Sequence, residues 1–399
     1  MKIMLLTDIP PCMNFTAGIV LNKMCDFLLD AGHEVCCFAV KDVSVDAVIP
    51  TDKVARMKFQ IVKKPIESWG HLKFGPIASY IGNHYTAAFV LPQIARQAGD
   101  FAKENHAELI WSVVQGQTMI KLTEPAAHRA GLPYVIQVWD PPEWWLMENK
   151  FDRYSTKSVM KSFQKALHHS QCCIAASWAM ADYYSREYAC KSTPVILGFE
   201  PGEVQKGKKY KDDSLIIALS GQLYASQEIQ ALIQALDLME WQYNGRKIIL
   251  RFYGRTIQLS LSKPSNIQVM GWLPQNELLS ELAQADLLYC PYWFSERFKL
   301  PSSLSFPSKL STYLKTGVPT LVHAPDYASP RKFVEQNDVG YICGTLDPNT
   351  VRDVLNYIFG GTEEERKERG VRGYQAFLNY LTTEHMRAAF FEALGIGKA

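Results

Sequence analysis

The residues around Lys309 have the types and the spacing needed to bind a phosphate group. An apolar run over residues 287–290 predicts a buried strand, and Pro307 is placed to begin a helix that Gly317 ends. Ser308 and Lys309 would then lie in the first turn of that helix. Free backbone N–H groups and the positive end of the helix dipole favour an anion there. The sequence therefore predicts a phosphate pocket at the carboxyl end of a strand, where open α/β sheets bind ligands.

A long loop over residues 291–306 joins this strand to the helix and adds aromatic and basic side chains. Tyr292 follows Pro291 after the strand and is a candidate donor contact, and Arg297 and Lys299 come next. Positive charge near a phosphate stabilises it, so Arg297 and Lys299 are candidate ligand contacts beside the lysine of the helix. Arg255, in an earlier loop, is a further candidate.

This segment resembles the donor-binding segment of the GT-B nucleotide-sugar glycosyltransferases, in the retaining group that includes sucrose and glycogen synthases and many bacterial polysaccharide enzymes. The pattern of these relatives, Pro-x-Lys-Leu-x-x-Tyr-x-x-x-Gly-x-Pro, is met by Pro307, Lys309, Leu310, Tyr313, Gly317 and Pro319. The resemblance implies that the lysine and the helix start, Pro307 to Leu310, hold the donor. The chain departs from the pattern at Thr312, where relatives carry a glutamate that binds the ribose.

Two further turns, each after a predicted strand, are similar to donor-binding turns of these enzymes: Gly221-Gln222 and Gly271-Trp272-Leu273. Tyr253-Gly254-Arg255 ends another predicted strand and is a further candidate for contact with the donor. The resemblance implies that the backbone at Gly221 approaches the donor phosphates and that the segment around Trp272 cups the nucleotide base. Gln222 stands where relatives have an arginine, and the lysine that follows in them is absent. An ordinary strand-to-helix turn and a tryptophan of the core are the alternatives.

In the first half of the chain, five residues are candidates for contact with donor or acceptor. By resemblance, Gly18 matches the glycine that lies against both substrates near the first helix. Asp140 and Glu143 are the carboxylates of an aromatic loop after a strand, and either could orient or deprotonate an acceptor hydroxyl. Trp144 or Trp145 could stack on a sugar ring of the acceptor. A hydrogen-bonded clamp that only holds the loop is the alternative.

Strands and helices alternate through both halves, which predicts an α/β protein with two Rossmann-like, doubly wound domains. We expect an acceptor-side domain over residues 1–200 and a donor-binding domain over residues 201–375. By resemblance the domains face each other across a cleft, and a last helix within residues 376–399 crosses back to the first domain. The polar stretch 198–213 is expected to be the linker, and residues 42–75 show no regular pattern.

Composition narrows the class of protein. The 399 residues are 47% hydrophobic and 21% charged, which is typical of a globular protein, and the net charge of +2 gives no reason to expect nucleic acid as a partner. The opening apolar run is too short for a signal peptide, and no run reaches the length of a membrane helix. We expect a cytoplasmic protein, with peripheral contact at the inner face of the membrane left open. The nine cysteines include no Cys-x-x-Cys, so neither a zinc knuckle nor a disulfide frame is indicated.

The leading hypothesis is transfer of a sugar from a nucleoside diphosphate to a hydroxyl of a glycan, a lipid-linked saccharide or a small molecule. The resemblance implies retention of the anomeric configuration. No Asp-x-Asp motif occurs in the chain, so we expect no metal and no other cofactor, with Lys309 acting on the leaving diphosphate. A nucleotide-sugar epimerase on the same fold is one alternative. A non-catalytic protein that binds a nucleotide sugar or another partner is the second, and it is favoured by Thr312 and the missing arginine.

Overall fold

A computed structural model describes residues 1–67, 69–202, 204, 214–222, 224–254 and 264–397. The chain forms two compact units. The first comprises Met1–Ile196 together with Arg387–Ala399, and the second comprises Leu197–Met386. Each unit contains one mainly parallel sheet covered by helices on its faces.

The sheet of the first unit is wholly parallel, with the strand order β3-β2-β1-β4-β5-β6-β7. Its strands are β1 Lys2–Thr7, β2 Glu34–Lys41, β3 Lys58–Lys63, β4 Leu109–Val113, β5 Tyr134–Val138, β6 Cys173–Ala175 and β7 Ser192–Pro194. The central strands are apolar on both faces, as a sheet covered on both sides requires. The strand order reverses between β1 and β4, so the carboxyl ends of these strands frame the position where such sheets bind ligands.

Helices fill the connections of this sheet: α1 Thr16–Asp30, α2 Thr51–Arg56, α3 Gly75–Tyr85, α4 Leu91–Glu104, α5 Gly116–Ala130, α6 Pro142–Glu148, α7 Arg153–His169 and α8 Trp178–Tyr188. A short 3-10 helix spans Trp69–His71, and a π-helical turn, Thr86–Val90, joins α3 to α4. The last helix of the chain, α16, spans Thr383–Ala393. Its Phe390 belongs to the first unit and packs on Trp111 with the ring centroids 4.8 Å apart.

The sheet of the second unit has the order β11-β10-β8-β12-β13-β14, all parallel, with β9 antiparallel to β10. Its strands are β8 Leu215–Ser220, β9 Gln242–Tyr243, β10 Arg246–Tyr253, β11 Ile267–Gly271, β12 Leu287–Pro291, β13 Thr320–His323 and β14 Tyr341–Cys343. The order reverses around β8, because the chain moves outward first to one side of this strand and then to the other. The ends of β8 and β12 therefore frame the expected ligand position.

The helices of the second unit are α9 Ser226–Leu238, α10 Gln275–Leu282, α11 Lys299–Leu304, α12 Ser308–Thr316, α13 Ser329–Asn337, α14 Pro348–Gly360 and α15 Glu363–Tyr380. Short 3-10 helices span Pro264–Asn266 and Glu296–Phe298. One face of the sheet packs on α9 and α14 in a core that contains Leu219, Leu250, Leu287 and Leu321.

The structure confirms the α/β class with two Rossmann-like sheets and corrects three local predictions. Residues 42–75 are not irregular throughout, since they contain α2 and β3. The segment 291–306 is not a simple loop, because α11 lies within it. Pro307 is the N-cap of α12 and does not occupy its first turn, which begins at Ser308.

Candidate functional site

Three glycine turns lie side by side at the carboxyl ends of β8, β10 and β11. The N–H of Gly221 donates to the carbonyl oxygen of Tyr253, and that of Gly254 donates to the carbonyl oxygen of Gly271, both at 2.8 Å. A Cβ atom on Gly254 would lie 2.6 Å from the Gly221 carbonyl oxygen, so the close approach of these turns requires glycine. The structure thus brings together the three turns predicted from the sequence. Arg255, which follows Gly254, lies outside the described residues.

Trp272 follows these turns and is 75% exposed. A position in the core is therefore excluded, and a large aromatic face is accessible at the end of β11. The neighbouring Leu273 is half-buried. It lines a cavity of about 420 Å³ together with Met270, Asn276, Glu277, Ser280 and Glu281. Two apolar and four polar side chains line this cavity, and the exposed indole of Trp272 precedes Leu273 in the chain.

The Lys309 ammonium group is held on an aromatic surface near the Gly221 turn. Its Nζ lies 4.2 Å from the centroid of the Tyr224 ring and donates a hydrogen bond of 3.3 Å to the carbonyl oxygen of Gln222. Burial lowers the pKa of Lys309 to about 8, and the nearby Cys290 thiol acts in the opposite direction. None of the described carboxylates forms an ion pair with Lys309. The site therefore contains a cation whose charge is not balanced by the described protein groups.

The helix that carries Lys309 begins without a side-chain cap. Pro307 is its N-cap residue and has no N–H, and no side chain in the described parts of the chain accepts a hydrogen bond from the first turn. Ser308, the first helical residue, is exposed. An uncapped N-terminus presents free N–H donors and the positive end of the helix dipole. Together with Lys309, it gives the second unit a local site for an anion.

Two residues of the sequence pattern fix this helix against the sheet. Leu310 is fully buried, and the Tyr313 hydroxyl accepts the backbone N–H of Ser220 at 2.7 Å, at the end of β8. The Thr312 hydroxyl is used inside the helix, where it donates to the carbonyl oxygen of Ser308 at 3.2 Å. Thr312 is buried, so it does not present a free acceptor in place of the glutamate of the relatives.

The other predicted contacts of the β12 loop differ in their surroundings. Tyr292 is buried, and its hydroxyl donates to the carbonyl oxygen of Ser305 at 3.2 Å. Lys299 forms an exposed ion pair with Glu296 at 3.3 Å. The Arg297 guanidinium lies 5.6 Å from the centroid of the Phe298 ring. Lys309, in contrast, contacts the Gly221-Gln222 turn directly through the carbonyl oxygen of Gln222.

Sequence reasoning missed Glu228, which lies in the first turn of α9. Its side chain is almost completely buried, and its Oε1 accepts the N–H of Phe294 at 2.8 Å. Burial raises the pKa of Glu228. This contact holds the β12 loop against the start of α9. The sequence signal for Glu228 was its position eight residues after the end of β8. Its hydrogen-bond partner, Phe294, is distant in sequence, so the contact could not be predicted.

In the first unit, Asp140 and Glu143 follow β5, as predicted. Burial raises the pKa of both carboxyl groups. The Oε1 atom of Glu143 accepts the Tyr188 hydroxyl at 3.2 Å, while its Oε2 is buried and has no hydrogen-bond partner among the described residues. A raised pKa is the property that a general acid or base needs.

Trp144 and Trp145 lie on α6 and make mainly internal contacts. The Trp144 indole N–H is buried and has no partner among the described residues. Trp145 packs against Phe151 with the ring centroids 5.7 Å apart, and a Cβ on Gly116 would lie 2.7 Å from its ring. Stacking of either tryptophan on an acceptor sugar stays a prediction.

A buried ion cluster in the same unit was not predicted. The Lys64 Nζ lies 2.9 Å from carboxylate oxygens of both Asp8 and Glu67. Glu67 also accepts the N–H of Thr118 at 2.6 Å and so caps the start of α5. Burial alone would lower the pKa of Lys64, but the two carboxylates outweigh it and raise the pKa. The cluster joins the ends of β1 and β3 to α5 and was missed because β3 was not recognised.

Gly18 is buried against the loop that follows β1. A Cβ atom at this position would lie 2.1 Å from the Cys12 Sγ, so the chain's own loop already requires a glycine here. Its contact with a donor stays a prediction. Among the described residues, no group of three or more His, Cys, Asp and Glu side chains could hold a metal ion. No helix in the described part of the chain is long and apolar enough to cross a membrane.

Comparisons with known proteins agree with this geometry. Residues 230–358 match the family described as Glucosyltransferase 3-like, C-terminal domain. The chain is similar in structure to a sucrose-phosphate synthase from Thermosynechococcus elongatus, with a TM-score of 0.69 and 12% identity over 99% of this chain and 98% of that one. No curated protein sequence matches the chain.

Two further solved structures are similar over nearly their full length. HepE from Anabaena, solved in complex with UDP and glucose, gives a TM-score of 0.64 at 11% identity over 98% of this chain and 99% of that one. An α,α-trehalose 6-phosphate synthase from Burkholderia multivorans gives a TM-score of 0.64 at 13% identity, over 99% of this chain and 98% of that one. The chain has the fold of the GT-B glycosyltransferases, which confirms the resemblance drawn from the sequence, and its residues 230–358 match a glucosyltransferase domain family.

Proposed function

We propose that the protein transfers a glycosyl group from a nucleoside diphosphate sugar to a hydroxyl group, with the diphosphate leaving toward Lys309. The observation that carries this proposal is the unbalanced Lys309 ammonium beside an uncapped helix N-terminus and three glycine turns. The donor loses the bond between its anomeric carbon and a diphosphate oxygen. The acceptor oxygen forms the new bond to that carbon and releases its proton.

Negative charge grows on the diphosphate as its bond to the sugar breaks. A preorganised cation and backbone N–H donors stabilise that charge more than they stabilise the intact donor, which lowers the barrier. Lys309 with a pKa of about 8 is mostly protonated at neutral pH, and an arriving anion favours its charged form further. In this proposal no metal ion takes part, because the lysine and the helix N-terminus supply the positive charge.

We propose a uridine nucleotide as the donor and glucose as its first candidate sugar. The support is the match of residues 230–358 to the Glucosyltransferase 3-like family and the similarity to HepE, whose structure contains UDP and glucose. The exposed Trp272 and the cavity lined by Leu273 would receive the base. Retention of configuration follows from the family resemblance.

On the acceptor side, we propose that Glu143 or Asp140 orients the attacking hydroxyl and accepts its proton. The raised pKa of both groups and the unpartnered Oε2 of Glu143 support these roles. Trp144 and Trp145 would form the wall of the acceptor site. A glycan, a lipid-linked saccharide and a small sugar all satisfy this chemistry, with polysaccharide synthesis in the cytoplasm as the proposed setting.

A second candidate function is binding of a nucleotide sugar without transfer. It is favoured by Thr312, whose hydroxyl is already used by Ser308 and cannot replace the ribose-binding glutamate of the relatives. The test is incubation with UDP-glucose, with and without a panel of sugar acceptors, while released UDP and the sugar configuration are measured. Acceptor-dependent UDP release that persists in EDTA supports the proposal. A changed sugar without acceptor indicates an epimerase, and donor binding without any turnover supports the non-catalytic alternative.

A further inference from the structure

Helix α3 and the π-helical turn after it are oriented with their large apolar side chains toward solvent. The side chains that face the protein are small or polar: Ser79, Gly82, Asn83 and Thr86. The exposed side chains include Phe74, Ile77, Ile81, Tyr85 and Phe89, each between 58% and 71% exposed. We call these five residues the outward apolar face. A helix on the surface of a globular protein normally shows the opposite arrangement.

Specific contacts fix this orientation. The Ser79 hydroxyl donates to Asp152 at 3.0 Å, and the Asn83 side-chain amide donates to the Ser79 hydroxyl at 3.0 Å. The Gln117 amide donates to the carbonyl oxygen of Asn83 at 3.3 Å. A Cβ on Gly82 would lie 2.3 Å from the Trp69 ring, so the helix could not pack as closely with a larger residue there. Rotation that buried the isoleucines would break these contacts.

The outward apolar face forms a continuous stripe. Ile77, Ile81, Tyr85 and Phe89 follow at intervals of four residues, which places them on one side of the helix. Twelve residues at the helical rise span about 18 Å. The Tyr85 and Phe89 rings are in contact, with their centroids 5.4 Å apart. Beyond the π-helical turn the pattern reverses, and α4 buries its apolar residues against the domain.

The surroundings of the stripe are basic. The segment 69–99 contains no aspartate or glutamate, and its Lys73 is exposed. The start of α7 lies alongside, because Tyr80 and Tyr154 are in ring contact at 5.9 Å, and it adds the exposed Arg153 and Lys157. None of these three basic side chains forms an ion pair with a carboxylate in the described parts of the chain. Asp152, the acid nearest in sequence, is directed at Ser79.

Two binding partners could cover this face, a second copy of the chain or a lipid bilayer, and the basic charge around the face distinguishes between them. In a symmetric dimer the same patch meets itself, so basic residues would oppose basic residues without any acid from the patch to balance them. An apolar stripe with aromatic side chains and flanking lysine and arginine instead fits the interface of a negatively charged bilayer. We propose that the outward apolar face docks the protein on an anionic lipid membrane. This inference does not depend on the proposed glycosyl transfer.

Flotation with lipid vesicles tests the proposal. The intact protein is expected to float with vesicles of phosphatidylcholine and phosphatidylglycerol, and to float far less with phosphatidylcholine alone. The double variant Ile77→Asp/Ile81→Asp should bind the anionic vesicles at least about tenfold more weakly, because it removes two inserting side chains. Val371→Asp is the matched control, since Val371 is 58% exposed on α15 in the second unit, and it should bind as the unchanged protein does.

Charge reversal gives a second, independent test. Lys73→Glu should weaken binding to the anionic vesicles about fivefold or more and leave binding to neutral vesicles unchanged. The melting temperature of each variant and its shift with UDP-glucose should match those of the unchanged protein, which separates membrane docking from donor binding. Absence of binding to anionic vesicles overturns the proposal. Dimers that the double variant converts to monomers, or an acidic protein captured in place of vesicles, would assign the face to a protein partner and equally overturn it.

Discussion

The ammonium nitrogen of Lys309 lies 4.2 Å from the centroid of the Tyr224 ring. The ring partly compensates the charge, and the ammonium donates a hydrogen bond to the Gln222 carbonyl oxygen with an N···O distance of 3.3 Å. No carboxylate in the described residues completes the balance. A buried ammonium group without a paired carboxylate lowers the stability of the ligand-free protein. A bound diphosphate would balance its charge and remove this loss of stability.

The first prediction follows from this loss of stability. Lys309→Met keeps the length of the side chain and removes its charge. Burial lowers the pKa of Lys309 from 10.5 to about 8, so below pH 8 the folded protein carries the charged lysine at a cost in stability relative to the unfolded chain. We therefore expect the variant to have a higher melting temperature than the unchanged protein at pH 7, measured without ligand. Lys332→Met, on the exposed surface of α13, should change it little, and a lower melting temperature for the Lys309 variant would contradict the prediction.

The second prediction concerns pH. The diphosphate of an intact nucleotide sugar binds the protonated lysine, and in the free protein Lys309 loses its proton as the pH rises through about 8. Donor affinity should therefore be nearly constant from pH 6.5 to 7.5 and fall about tenfold per pH unit well above 8. Calorimetric titrations across this range measure it. The same series with Lys309→Ala should show no such decline, and an equal decline in both proteins would assign it to another group.

The third prediction concerns the glycine turns. Gly254 has a φ of 157°, and a Cβ there would meet the Gly221 carbonyl oxygen at 2.6 Å. Gly254→Ala should destabilise the protein by roughly 2 kcal/mol and weaken donor binding, because both the backbone strain and the clash must be relieved. Gly245→Ala is the control, since Gly245 also has a positive φ but nothing lies within 4 Å of its Cβ position. Urea unfolding compares the two, and equal losses would mean that the close approach of the turns is unimportant.

The fourth prediction concerns the acceptor side. Glu143→Gln keeps the size of the side chain and removes its ability to accept a proton. We expect the rate of transfer to fall about 100-fold or more, while the melting-temperature shift with UDP-glucose is retained. Because burial raises the pKa of Glu143, the rate of the unchanged enzyme should fall as the pH is lowered through that raised pKa. Asp182→Asn on α8 is an exposed control, and an unaffected rate in Glu143→Gln would leave Asp140 as the remaining candidate base.

The sequence was informative where structure is set by neighbours along the chain. The helix at Lys309, its end at Gly317 and the apolar position of Leu310 depend on local caps and on helical spacing, and all are found. The glycine turns at the ends of β8, β10 and β11 were recognised because each lies at the end of a strand predicted from the sequence.

Features that depend on contacts between residues distant in sequence could not be predicted in this way. The edge strand β3 is half-exposed and lacks an apolar run, so the cluster of Lys64 with Asp8 and Glu67 was missed with it. The need for glycine at position 18 comes from Cys12 in the preceding loop. The sequence did not show that Ile77 and Ile81 face solvent, because Asp152 and Gln117 hold the opposite side of α3 against the protein.

Calorimetric titration of UDP into the unchanged protein, Lys309→Ala and Lys332→Ala tests the central claim most directly. The account predicts that the Lys309 variant binds UDP about 10- to 100-fold more weakly, as the loss of a charge-assisted contact requires, and that the Lys332 variant binds it like the unchanged protein. Equal UDP affinity in all three proteins would contradict the role of Lys309 in receiving the diphosphate.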